Sequence, residues 1–389
     1  MKLSTRCAQL GRGDDTHGAI VPPIYQTATF EQPTATEFGE YDYTRSGNPT
    51  RTLLEAQLAD LEAASYASAF ASGMAALTAL TRIVKAGEEI IAGDDLYGGT
   101  VRLLDRIASH QNISVRYVDT ADVDQLKKAL TNRTRLILIE TPSNPLFRIS
   151  DIRALASIAK HAGVFLAVDN SMLSPIFQQP LVLGADIVVH SATKFLGGHS
   201  DVTAGALITN DPALHKQIAF QQNAEGAGLS PFESWLLLRG LRTLALRVER
   251  QNASAEKIAC FLQTRPEVTR VFYPGLNQHA GREIHNKQAS GNGAVISFTT
   301  GDEKLSAAIV EATRLFKIAV SFGSVGSTIS LPCRMSHASI PSALRDRLAP
   351  PSDLVRLSVG IEDLDDLILD LERAFAMNTR AQQLVESVH

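Results

Sequence analysis

The strongest constraint on this chain is a series of short apolar runs set between capped, amphipathic segments. Residues 135–140 read RLILIE, 164–170 VFLAVDN, 185–190 ADIVVH and 205–210 GALITN. Each is too short for an ordinary helix and too apolar for a strand with one wet face, which is the pattern of a strand buried on both sides. Between the first two lies SDIRALASIAKHAG (150–163), with Ser150 as N-cap, Asp151 in the first turn and Gly163 at the end. Caps and spacing together predict a helix there. Strands that need cover on both faces, joined by such helices, predict an α/β protein with a mostly parallel sheet.

The rest of the chain is organised around that unit. Leucines at 53, 54, 58 and 61 in RTLLEAQLADLEAA share one helix face. The first fifty residues, rich in Pro, Thr and Tyr, lack either periodicity and predict an extended arm. Ordering such an arm costs entropy, so its aromatic and apolar content points to packing against a second subunit. Residues 230–263 predict two helical segments meeting around Arg239-Gly240; 293–300, 302–316 and 318–323 read as strand, helix and strand; 362–377 closes with an amphipathic helix. A chain of 389 residues exceeds one ordinary core of ~250–300 residues. The expected division is an arm at 1–50, a sheet domain at 51–239 and a smaller α+β domain at 240–389.

Charge and cysteine usage narrow the function. With 37 Lys+Arg against 41 Asp+Glu, the net charge is −4, and no basic stripe suggests nucleic acid or an anionic membrane. No apolar run reaches the ~18–20 residues of a membrane span. Cys7, Cys260 and Cys333 are isolated, as in a reducing compartment. The N-terminus has no apolar signal-peptide core, so the sequons at Asn112, Asn132 and Asn252 are expected to be silent. The expected location is cytoplasmic. A dinucleotide enzyme would need G-x-G-x-x-G after a strand, whereas GRG at 11–13 precedes any strand. His190, His199, His279 and His285 lack metal-ligand spacing.

Ligands of parallel α/β sheets bind beyond the carboxyl ends of the strands, so the residues following each apolar run carry the interest. Asp169 ends one run, Asn144 follows another, and Ser191, Thr193 and Lys194 follow DIVVH. A lysine used for covalent chemistry must be partly neutral, which desolvation favours. Ser191, Thr193 and the Gly197-Gly198 backbone offer a phosphate cradle, and Ser72-Gly73-Met74 at the start of MAALTALTRIV offers a helix N-terminus for the same anion. A Schiff-base lysine, a phosphate site and an aspartate on a neighbouring strand end suit pyridoxal phosphate, whose ring nitrogen the aspartate keeps protonated.

With these residues the sequence resembles the cystathionine γ-synthase/β-lyase group of pyridoxal-phosphate enzymes. The likeness is carried by YDYTRSGNPTR (41–51), ASGMAA (71–76), DDLYGGT (94–100), ETPSNP (140–145), AVDN (167–170), SATKFLGGHSDVTAG (191–205), VSFGS (320–324) and VRLSVGIED (355–363). It implies the aminotransferase-like fold type I, with a mostly parallel seven-stranded sheet covered by helices on both faces and a smaller C-terminal α+β domain. It also implies roles: Lys194 holds the cofactor's aldehyde carbon and moves protons, Asp169 pairs with the pyridinium, Tyr97 stacks on the ring, and Gly73, Met74, Ser191 and Thr193 hold the phosphate. Tyr43 and Arg45 are implied to reach the phosphate of a neighbouring subunit in a homotetramer, a dimer of dimers with shared sites. Asn144 and Arg356 are implied to grip the substrate carboxylate, and Ser321 to settle the lysine or substrate.

The implied reaction is β-elimination of L-cystathionine to homocysteine, pyruvate and ammonia. γ-Elimination and γ-replacement use the same machinery. Methionine γ-lyases of the group carry cysteine where this chain has Gly99, and many γ-enzymes carry glutamate where it has Gly326. Phe322 stands where some β-lyases have tryptophan, and residues 320–341 are most similar to the β-lyase subgroup. Cystathionine γ-lyase and γ-synthase activity stay open as alternatives, as does a non-catalytic scaffold of the same fold, although a scaffold needs none of Lys194, Asp169, Tyr97 and Arg356.

Overall fold

The computed structural model of the protein describes residues 1–9, 17–338, 340 and 342–386. Residues 11–13, noted above for GRG, lie outside them. Seven strands, β1 (Tyr66–Phe70), β2 (Glu89–Gly93), β3 (Ser114–Val118), β4 (Thr134–Glu140), β5 (Phe165–Asp169), β6 (Ile187–His190) and β7 (Gly205–Thr209), form one sheet in the order β1-β7-β6-β5-β4-β2-β3. Its pairings are parallel from β6 through β3. β7 runs antiparallel to both neighbours, so the GALITN run is the reversed member of a mostly parallel sheet.

The apolar runs are buried on both faces, as their composition requires. Val188 and Ile208 pack with Leu54, Leu58 and Leu61 of the helix Pro49–Leu61 on one side. Ile187, Val189 and Leu207 pack with Leu77 and Leu80 of the helix Gly73–Thr81 on the other. A second, five-stranded sheet in the order β10-β11-β12-β9-β8 comprises β8 (Arg270–Phe272), β9 (Val295–Thr299), β10 (Lys317–Ile318), β11 (Thr328–Ser330) and β12 (Val355–Ser358). Its Val295, Phe298 and Leu357 belong to the same apolar cluster as Leu54 and Val188.

Three local expectations are corrected. The helix after β4 is Ile152–Ala162, capped by Asp151, whose carboxylate accepts from Ala154 N at 3.0 Å. Ser150 is instead turned inward, 2.8 Å from the Thr120 hydroxyl. The helix expected to break at Arg239-Gly240 runs through both to Leu241 and turns at Arg242-Thr243. A Cβ on Gly240 would sit 2.9 Å from Leu196 O, so the glycine lets this helix lie directly on the loop that carries Lys194. Finally, the strand expected at 318–323 is cut to Lys317–Ile318. Ser321 has φ 79° and Gly323 φ 87°, left-handed values that no extended strand accommodates, and they turn the chain toward Lys194.

Candidate active site

The carboxyl ends of the parallel strands open into a cavity of about 440 Å³ lined by residues from both sheets. Ser72, Gly73 and Met74 follow β1, Tyr97 follows β2, Glu140 and Asn144 end and follow β4, Asp169 ends β5, and Ser191, Thr193 and Lys194 follow β6. The second sheet contributes Arg356 from β12, and the loop between β10 and β11 contributes Ser321 and Phe322. Of the twelve site residues expected from the sequence, ten meet here. Tyr43 and Arg45 do not: within one chain, Tyr43 is 41% exposed and Arg45 donates to Asn223 O at 2.9 Å and to its Oδ1 at 2.8 Å.

The Lys194 loop is held from below. Arg247 donates from Nη1 to Phe195 O at 2.9 Å and from Nη2 to Gly240 O at 2.8 Å. Gly198, at φ 73°, leaves room for that guanidinium, which a Cβ would strike. Lys194 Nζ hydrogen-bonds Ser321 Oγ and lies 4.9 Å from the centre of the Phe322 ring. Burial, followed by the nearby Arg356 cation, lowers its pKa to about 8, against the pull of Asp169 and Glu140. A lysine there carries an appreciable neutral fraction close to physiological pH, as a nucleophilic amine needs.

Arg356 is 2% exposed on β12. Its Nη1 donates to Asn144 Oδ1 at 2.7 Å and its Nη2 to Ser321 O at 3.1 Å, with the guanidinium carbon 5.3 Å from the Phe322 centroid. Burial lowers its pKa to about 10, which still leaves it charged at neutral pH. Ser321 is thus fixed at both ends, and its left-handed backbone is local strain held by functional neighbours.

Asp169 accepts from Ser171 N at 2.9 Å, and Ser171 Oγ accepts from Ser191 N at 2.7 Å. Desolvation raises the Asp169 pKa, with the Ser171 hydrogen bonds opposing it, and a cationic partner from a bound ring would stabilise its charged form. Behind it, His190 is buried against Glu62 at 2.5 Å. His199, considered as a neighbour of Lys194, is tied to Gly197 O at 2.8 Å and is absent from the cavity lining.

The residues fit pyridoxal phosphate. Gly73 and Ser191 come so close that a Cβ on Gly73 would lie 2.9 Å from Ser191 Cβ, which forms a cradle of backbone and small hydroxyls. Ser72 caps the helix through Ala75 N at 3.0 Å, and the N–H groups of Gly73 and Met74, in its first turn, have no intrahelical acceptor. Thr193 is less free, since its hydroxyl donates to Ala204 O at 3.2 Å and accepts from Ala204 N at 3.0 Å.

Among the cavity-lining residues, the sequence reading misses Glu140, Ser171 and Arg102. Glu140 ends RLILIE as Asp169 ends FLAVD, and the two are register partners on β4 and β5. The strand-end rule that finds one therefore points to the other. Glu140 accepts from Tyr97 N at 3.2 Å, and burial, then Asp169, pushes its pKa well above the ordinary carboxyl range. Ser171 directly follows the VFLAVDN run, so the same rule points to it as well; Arg102 carries no such signal, and His337, outside the cavity lining, meets Tyr97 and Asn144 only through tertiary contacts.

A lysine at a strand end, a phosphate cradle and an aspartate on the adjoining strand, on a mostly parallel sheet, define a pyridoxal-phosphate enzyme of fold type I. The chain belongs to the Cys/Met metabolism PLP-dependent enzyme family, whose pattern matches residues 4–376. It is 52% identical over 373 residues to the chloroplastic cystathionine β-lyase of Arabidopsis thaliana, spanning 96% of this chain and 80% of that one. It is 47% identical over 362 residues to a cystathionine γ-lyase of Bacillus subtilis, spanning 93% and 96%. A solved cystathionine γ-synthase from Xanthomonas oryzae pv. oryzae, in complex with aminoacrylate and cysteine, superposes with a TM-score of 0.95 at 38% identity, covering 98% of this chain and 99% of that one.

Proposed function

We propose that this protein is a carbon–sulfur lyase that cleaves L-cystathionine by β-elimination, releasing homocysteine, pyruvate and ammonia. The observation that carries the reading is the junction of Lys194 Nζ, Ser321 and Arg356 in one cavity. A substrate carboxylate gripped by Arg356 and Asn144 places its Cα beside the lysine amine.

Lys194, Asp169, Tyr97, Gly73, Met74, Ser191 and Thr193 would hold pyridoxal phosphate, which would supply an electron sink for charge developing at the substrate Cα. The chain's own groups do the rest. Lys194 Nζ, as a neutral amine beside the substrate Cα, would be the base that takes the Cα proton. The Cβ–S bond then breaks with its electron pair leaving on sulfur, and the Lys194 ammonium returns a proton to the departing thiolate. Ser321 Oγ holds Nζ between the two positions. Arg102 reaches the cavity from the helix Gly98–Arg102 with a charge suited to a carboxylate on the leaving group. The enamine released hydrolyses to pyruvate and ammonia.

β-Elimination is supported by two positions. A Cβ on Gly99 would press on the Tyr97 ring and lie 3.0 Å from Met74 Sδ, which counts against the cysteine that methionine γ-lyases carry there. Gly326 has open space around it and is absent from the cavity lining; no acidic side chain projects from there. The sharing of sites follows from the arm: Tyr43 and Arg45 lie away from their own chain's cavity, and Ile20, Phe38 and Tyr43 are 90%, 71% and 41% exposed. In the proposed homotetramer they reach the phosphate of a second copy. In the proposed division, residues 1–50 bridge subunits, 51–239 hold the cofactor and contribute Asn144 to the substrate grip, and 240–389 supply Ser321 and Arg356. Three free cysteines, Cys7, Cys260 and Cys333, support a cytoplasmic setting.

The test is the product formed by purified holoenzyme from L-cystathionine. Pyruvate with homocysteine is expected; 2-oxobutanoate with cysteine would move the protein to the γ-lyases.

A further inference from the structure

After β11 the chain makes a short turn, Pro332–Arg334, and then a tight bend through Met335–Ala338. Met335, Ser336 and Ala338 line the cavity, forming a wall beyond Phe322. His337 turns the other way. It is 2% exposed, with Nε2 3.2 Å from Asn144 O and Nδ1 2.9 Å from Ser336 Oγ. A nitrogen facing a carbonyl must donate, so the neutral ring carries its hydrogen on Nε2 and accepts from Ser336 at Nδ1. Burial, followed by Arg356, lowers its pKa to about 4, which keeps it neutral in use.

Its ring stands edge-on to Tyr97, with centroids 6.4 Å apart and planes at 85°. Contact with the Tyr97 turn is tight, since a Cβ on Gly98 would lie 2.6 Å from Ser336 O and 2.9 Å from His337 Cα. Asn144, whose carbonyl His337 holds, presents its side chain to Arg356. One side chain therefore links the wall Met335–Ala338 to the Tyr97 ring and to the Asn144–Arg356 pair.

We propose that His337 is a positioning residue that ties this wall to the carboxylate grip and to Tyr97, and so sets how well the enzyme accepts a long leaving group. The inference rests on the β-elimination reading above. A substrate whose leaving group is a single atom needs the grip but not the wall. A substrate that leaves as a whole amino-acid thiol needs both held at a fixed separation.

The test compares L-cystathionine with β-chloro-L-alanine, which both yield pyruvate but differ in leaving-group length. In His337→Leu holoenzyme, KM for cystathionine should rise about tenfold, the worth of a buried hydrogen bond, while the chloroalanine constants stay within about threefold. His337→Gln, which restores a donor at the same reach, should recover most of the loss, and the visible cofactor band should match the wild type in both. Equal losses on the two substrates, or no rescue by glutamine, would overturn the proposal. If the leucine variant does not retain cofactor, Ser336→Ala decides: a fall confined to cystathionine supports the role, and an unchanged ratio removes it. Should the wild type itself form no pyruvate from cystathionine, it is the functional reading that fails, independently of His337.

Discussion

Replacing Arg356 with lysine probes the centre of the site. Arg356 spends one arm on Asn144 Oδ1 at 2.7 Å and another on Ser321 O at 3.1 Å, yet keeps further N–H donors for a carboxylate. A lysine keeps the charge but cannot hold both protein acceptors and the substrate in one plane. The variant loses a charge-assisted bond worth about 1.5–3 kcal/mol and leaves a buried acceptor unpaired at about 1–3 kcal/mol. Together these come to about 2.5–6 kcal/mol of transition-state binding, or roughly 10²- to 10⁴-fold in kcat/KM. Pyruvate formation at varied L-cystathionine gives the number, and the visible absorbance of the bound cofactor reports whether the site is otherwise intact. A loss under about fivefold with the band intact would refute the grip, because it falls below the worth of one such hydrogen bond.

Three further outcomes follow from the same geometry. Lys194 attacks an aldehyde only as the free amine, so uptake of pyridoxal phosphate by the apoprotein should accelerate as pH rises through about 8; an increase that continues unchanged toward the ordinary lysine value would contradict the burial effect. The sign for stability is the same: with the folded pKa below the unfolded one, the unfolded chain binds more protons between the two values, so apoprotein stability should rise with pH there, and Lys194→Met should abolish that rise in denaturant titrations. Gly99→Ala should push the Tyr97 ring from its place, and overpacking of about 1–3 kcal/mol corresponds to a fall in cofactor affinity of about five- to 150-fold, measurable by fluorescence titration. Unchanged affinity would mean that the ring position is not coupled to the cofactor.

Much of this site is legible because strand ends are legible. RLILIE, FLAVD and DIVVH are buried runs whose composition announces them, and in a parallel sheet their last residues lie side by side; Glu140 and Asp169 are paired in register on β4 and β5. The second sheet is harder to read. A two-residue strand such as Lys317–Ile318 carries no periodicity, and the reversal at Ser321 depends on Arg356, which lies 35 positions further along. Ser150 has the chemistry of a helix cap because serine favours that place; Asp151 takes the role because Ser150 pairs with Thr120.

The layered α/β sheet, the lysine and the aspartate can be read from the residues in order, because burial on two faces and strand-end chemistry are properties of short, contiguous segments. The remaining features arise only on folding. Tertiary contacts set Arg356 against Asn144 and Ser321, lower the Lys194 pKa to about 8 by burying it beside that cation, and place His337 between Tyr97 and Asn144. Each is a meeting of residues distant in the chain, and both desolvation and hydrogen-bond geometry exist only once the chain has closed around them.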